Sequence, residues 1–193
     1  MSPARSACGS RTTIAATVGG VPVWVDEIDA REDRLRACRL ASSLPRRGTS
    51  EGRQLRRWLT QLLVTERVAA AEAGIRGLTA DGAPSEDELL PDTTARLEIG
   101  SIAGSVLADP LARALFVSVT ATVGIADAEV RDYLERNPRR FGSTAQIADH
   151  LRGAVRRRAF RLWLDERCAE LVELAPGYEH PGDPRQPDNA HRH

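Results

Sequence analysis

The side chains best placed to do chemistry lie near the C-terminus, where E-H-P-G-D-P-R-Q-P-D-N-A-H-R-H carries His180, His191 and His193, three of the chain's four histidines. Imidazoles among carboxylates can take up zinc or nickel. Against this stands a solvated segment that binds such ions weakly, because a flexible tail loses entropy when it assembles a site. A second candidate is the basic run Arg152, Arg156, Arg157, Arg158 and Arg161, which could meet phosphates on nucleic acid. Asp149, Asp165 and Glu166 interrupt it, and 27 basic residues balance 27 acidic ones over the chain. The run therefore reads as the solvated back of an amphipathic helix, with no nucleic-acid partner implied. Trp58, Leu62, Phe116, Phe160 and Trp163 are apolar side chains that could line a groove for extended peptide; packing in a core is the competing reading.

Catalytic arrangements are not found. The sequence contains no G-x-S-x-G elbow, no phosphate-binding glycine loop and no H-E-x-x-H. His150 has no nucleophile or acid at a recognisable spacing. Cys8, Cys38 and Cys168 are far apart and lack metal-type spacing, so they read as ordinary thiols. Glu66 continues an apolar helical stripe and is expected at its boundary, with its carboxylate reaching water. No resident cofactor is expected beyond weak zinc or nickel at the tail.

The elements that position these residues follow from pattern. A chain of 193 residues suits one domain with tails. Aromatics make up only 4 %, so the core must be aliphatic. The segments 16–18 and 21–25 flank Gly19-Gly20 and read as a β-hairpin, and 171–174 reads as a strand after a long helix. A hairpin this short needs a further strand or a helix layer, so the two chain ends are expected to meet in one small sheet closed by the helices between them.

Asp26 is expected to cap a helix running to about Leu40, with Ile28, Leu35 and Cys38 inward. A second helix over 50–73 carries Leu55, Trp58, Leu59, Leu62 and Leu63 as a stripe and stops at Gly74. Residues 77–92 read as a connection with one turn at 86–90. A third helix holds Ile99, Ile102, Ala103, Val106 and Leu107, and its Gly100 and Gly104 would let a neighbour approach. Asp109-Pro110 opens a segment to Val123 that alternates like a strand yet is assigned as helix. A short helix over 127–136 and a long one over 144–171 complete the set, the latter with Ile147, Leu151, Val155, Ala159 and Leu162 as its early stripe. Residues 1–13 and 175–193 read as disordered ends around a domain spanning 14–174.

Three stretches, A-T-V-G-G-V-P-V-W-V-D-E-I-D-A-R, L-R-R-W-L-T-Q-L-L-V-T-E-R-V-A-A-A-E-A-G-I and I-A-D-A-E-V-R-D-Y-L-E-R-N-P-R-R-F, resemble the N-terminal chaperone module of the SurA and parvulin-type foldase family. The resemblance implies a mainly α fold whose hairpin pairs with a strand after the last helix, and a cradle that holds extended apolar polypeptide. It also marks a departure: only Gly142-Ser143 separates Phe141 from the last helix, where the family inserts its isomerase domain. A non-catalytic, chaperone-like polypeptide-binding module without prolyl isomerase activity is the resulting expectation. The alternative is a metal-handling or assembly accessory protein using the histidine tail. Shared sheet ends also allow a swapped homodimer. With no apolar run for a signal peptide or a membrane span, the expected location is cytoplasmic, with no membrane partner.

Overall fold

The computed structural model describes residues 13–39, 41–137 and 143–186. It is mainly helical, with one small antiparallel sheet whose strands are ordered β2-β1-β3. β1 (Ile14–Val18) turns at Gly19-Gly20 into β2 (Val21–Trp24), and β3 (Val172–Leu174) follows the last helix. Both turn glycines have positive φ, 55° and 80°, as a two-residue hairpin requires. On the other edge of β1, Ala16 pairs with Leu174 and Val18 with Val172. The expected meeting of the chain ends is thus a property of the fold.

The chain divides into two compact units, one comprising 1–63 and 172–193, the other 64–171. In the first, α1 (Val25–Arg36) begins directly after β2. Its N-cap is Trp24, not Asp26: the Glu27 carboxylate accepts the Trp24 N–H at 2.9 Å, which joins strand to helix without an intervening loop. The helix ends at Arg36, so Cys38 is exposed and not inward as expected. Ile28 packs with Ala15 and with Leu59 of α2 (Ser50–Ile75), and Leu35, Leu55, Trp58, Leu63 and Tyr178 surround them.

Tyr178 lies beyond β3, in the stretch expected to be an extended tail. Through residue 186 the chain instead forms turns held by Arg57 Nε to Gly177 O at 3.3 Å, Gln61 Nε2 to Tyr178 O at 3.4 Å and Gln186 Nε2 to Glu179 Oε2 at 2.5 Å. Long polar side chains of α2 supply donors to these partly covered backbone carbonyls.

A carboxylate fastens α1 to its surroundings. Glu32 is 1 % exposed and receives Arg36 at 2.7 Å, Arg47 at 3.0 Å and Arg56 at 2.9 Å. Burial alone would raise its pKa, but the hydrogen bonds from Arg36, Arg47 and Arg56 outweigh it and hold the carboxyl below its ordinary range.

The second unit contains the rest of α2, then α3 (Glu86–Leu89), α4 (Thr93–Ile99), α5 (Ser101–Val106), α6 (Pro110–Val119), α7 (Asp127–Arg136) and α8 (Thr144–Leu171). Asp109 caps α6 by accepting the Leu111 N–H at 2.9 Å, with Pro110 at its first position. Helix wins over alternation there, because Ala112, Leu115 and Phe116 all face the interior. The expected third helix is two, α4 and α5, broken at Gly100 with φ 85° and ψ 157°. Its apolar offsets are nonetheless buried at Ile99, Ala103, Val106 and Leu107. α2 does not stop at Gly74 either. It runs one residue further, to Ile75, and ends at Gly77, where φ is 62°, Leu78 N–H reaches Ala73 O at 3.0 Å and Gly77 N–H reaches Gly74 O at 3.0 Å.

Two tests follow from these contacts. Gly74 is helical with open space at its Cβ position, so Gly74→Ala stabilises by about 0.5–1 kcal/mol, whereas Gly77→Ala destabilises by about 1–2 kcal/mol; urea unfolding of both variants reads the opposite signs. Because the folded pKa of Glu32 is depressed, its contribution is present above the unfolded value of about 4.3 and is lost as pH falls through the lower folded value. Glu32→Gln lowers stability at pH 7 by about 1.5–3 kcal/mol, since the carboxylate is covered by arginine side chains and three charge-assisted bonds weaken. It also flattens the acid limb of a plot of urea midpoint against pH.

Candidate functional site

The aromatic residues expected to line a peptide groove divide between the units. Trp58 and Leu62 belong to the first, where Leu62 is 3 % exposed and Trp58 is half-buried against the Ile28 cluster. Phe116, Phe160 and Trp163 belong to the second and form a ladder: ring centroids lie 5.1 Å apart for Phe116 and Phe160 and 6.0 Å for Phe160 and Trp163. Phe116 and Phe160 are buried, and the half-buried Trp163 carries the Arg76 guanidinium over its ring at 5.4 Å. As placed, Phe116 and Phe160 pack in the interior of the second unit. Phe160→Ala then costs about 3–5 kcal/mol, measurable as a fall in urea midpoint.

Surface suited to an extended chain lies on the opposite side of α8. Ala154, Val155, Arg158 and Arg161, with Glu98 of α4, line an open trough of about 350 Å³. At 3.6 residues per turn, Leu162 continues the same stripe, and it is 52 % exposed. Leu97, next to Glu98 on α4, is 76 % exposed. Of the early apolar stripe only Ile147 is therefore fully buried; Leu151, Val155 and Ala159 are half-buried and Leu162 is exposed. The reason is that the buried side of α8 in this part of the helix is taken by Arg157, Phe160 and Leu164.

The arginine run is likewise rearranged relative to a solvated face. Arg157 is 6 % exposed and donates from Nε and Nη2 to Glu98 Oε2, at 3.0 and 2.8 Å, and from Nη1 to Leu89 O at 3.3 Å. Arg161 Nη1 reaches Glu98 O at 3.3 Å, and Arg156 Nε reaches Thr120 Oγ1 at 2.9 Å. Arg152 and Arg158 are exposed, as a solvated face requires. Sequence reading missed the buried members because their partners lie 36 to 68 positions away and leave no local spacing signal.

Of the tail histidines, His191 and His193 lie outside the described residues. His180 is exposed, and its Nδ1 accepts the Gly182 N–H at 3.0 Å. Among the described residues no three His, Cys, Asp or Glu side chains gather as a metal site. Cys38 and Cys168 are free thiols; burial pushes the Cys168 thiol up, against a hydrogen bond to Thr65. Glu66 is half-buried, as expected for a boundary position. His150 faces Tyr133 of α7 with ring centroids 6.2 Å apart.

No described helix is long and apolar enough to cross a membrane. Residues 14–51 match a family described as Family of unknown function (DUF7158), a segment that covers the hairpin, α1 and the entry to α2. No curated protein and no solved structure matches the chain.

Proposed function

We propose that this chain is a non-catalytic polypeptide-binding module of chaperone type. The observation that carries the reading is the solvent-open trough on α8, where Ala154, Val155 and the stems of Arg158 and Arg161 present apolar surface beside exposed Leu162. Its occupant is an extended segment in which apolar residues alternate with acidic ones. The apolar residues meet Val155 and Leu162, and the acidic ones meet the exposed Arg158 guanidinium. The resemblance of residues 16–31, 55–75 and 125–141 to the SurA-type module supports the same reading. The short link between 141 and the last helix leaves no length for an isomerase domain, so binding proceeds without peptide-bond isomerisation.

The test is suppression of aggregation. At stoichiometric ratio the full chain delays light scattering by a thermally unfolding client, and Leu162→Asp, with an unchanged melting curve, cuts the protection by more than half. Arg158→Glu weakens protection of acidic clients and not of basic ones. Absence of protection by the unmodified chain, or full protection by Leu162→Asp, removes the proposal.

A further inference from the structure

The side of α8 that carries Phe160 and Leu164 into the core changes character toward the helix start. Two turns earlier the same side bears Gly153, Arg156 and Arg157, and the space in front of them is not filled by packing: a cavity of about 250 Å³ opens there, walled also by Leu89 of α3 and Phe116 of α6. Gly153 is part of the construction. A Cβ at that position would lie 3.0 Å from Arg157 Nη1, so the missing side chain lets Arg157 lie back along the helix.

The charges at this cavity divide into satisfied and open. Arg157 is spent on Glu98, and Arg152 is paired with Asp149 at 2.6 Å. Glu88 accepts the Ser85 N–H at 2.7 Å and the Ser85 hydroxyl at 2.8 Å, closing the cap of α3. Arg156 differs. Among the described residues its one hydrogen bond runs from Nε to Thr120 Oγ1, and no carboxylate pairs with it. Thr120 is 1 % exposed and its own hydroxyl proton goes to Phe116 O at 2.7 Å, so its oxygen is held ready to accept from Arg156. The guanidinium also lies over the Phe116 ring at 5.3 Å. One edge and one face of the plane are thereby fixed, and the two Nη groups form an oriented, unspent fork.

We propose that this cavity binds a ligand through a single carboxylate, with Arg156 as its bidentate anchor. The wall chemistry selects the class. A dianionic phosphate would bring two charges toward the Asp149 and Glu88 carboxylates, whereas a carboxylate brings one charge to the one open fork. The volume admits a small organic acid or the terminal residue of a polypeptide, and both present the same group. The site stands apart from the trough, whose lining residues project from the other side of α8.

Isothermal titration of the full chain with benzoate, N-acetyl-dialanine, its C-terminal amide and inorganic phosphate tests the proposal. Saturable binding of benzoate or of N-acetyl-dialanine is expected, with none for the amide. Preference between the two acids tells a free acid from a chain end. Arg156→Gln weakens binding at least tenfold, and Arg156→Lys does not restore it, because a point charge lacks the fork. Should Arg156→Gln fail to fold, the Arg156 Nε–H resonance of the isotopically labelled wild type gives a second readout, which shifts on adding the bound acid. Failure of both acids to bind, binding undiminished in Arg156→Gln, an unmoved resonance, or phosphate bound more tightly than either acid overturns it.

Discussion

The pairing of β3 with β1 is the constraint on which the first unit depends. β1 is the central strand, so it needs a partner on both edges, and the second partner is three residues long and arrives 156 positions later in the Thr17–Glu173 pair. So short a sheet is marginal alone. It is held by what surrounds it: the Ile28–Leu59 packing beneath, the arginines on Glu32, and the turns after β3, whose carbonyls are bound by Arg57 and Gln61. The entropy of closing so long a loop grows only logarithmically with length. Because residues 64–171 form a compact unit of their own, the chain that must be closed is shorter in effect than the sequence separation suggests.

Much of this was legible in the residues. Gly19-Gly20 between β-branched segments specifies a hairpin because both positions need positive φ. The one turn expected at 86–90 is α3, which the structure shows capped by Ser85, and Asp109-Pro110 marks the start of α6. Glycine was harder to read. Gly74 and Gly77 are both plausible helix ends, and the choice falls to whichever backbone can send its next N–H back to Ala73 O, a matter of geometry that composition does not encode. Gly100 looked like a small residue at a helix contact, yet its φ and ψ break the helix in two. The stretch after Leu174, rich in proline and glycine, carries no apolar period; through residue 186 its order comes from Tyr178 docking and from donors on α2, both distant in sequence.

The long helix α8 misled for a different reason. A single apolar stripe is a poor guide to its first half, because a 28-residue helix meets different neighbours along its length. Ile147 and Phe160, both fully buried, point roughly 140° apart around the axis. A stripe from Ile147 at steps of four and three residues therefore leaves Val155 half-buried and carries Leu162 to the outer side. The inward arginines are equally hard to see, because an arginine facing inward is recognisable only once its acceptor is known.

Arginine, the only basic residue besides histidine, makes the inversion of α8 physically tenable. A buried ammonium would need three acceptors around a point charge, whereas the guanidinium of Arg157 spreads its donors over a carboxylate and a backbone carbonyl, and that of Arg156 adds an aromatic face. These bonds tie α8 to α3, α4 and the end of α6 through polar contacts at its inner side. Packing can therefore be completed without Leu162, which is left to the surface, and with Val155 only half-buried. Leu162 outside and anchored arginines inside locally invert the usual order of an amphipathic helix, beside Phe160 and Leu164, which keep it. Exposed aliphatic surface gains nothing for folding, so this part of α8 is held by Phe160, Leu164 and the bonds of the two arginines.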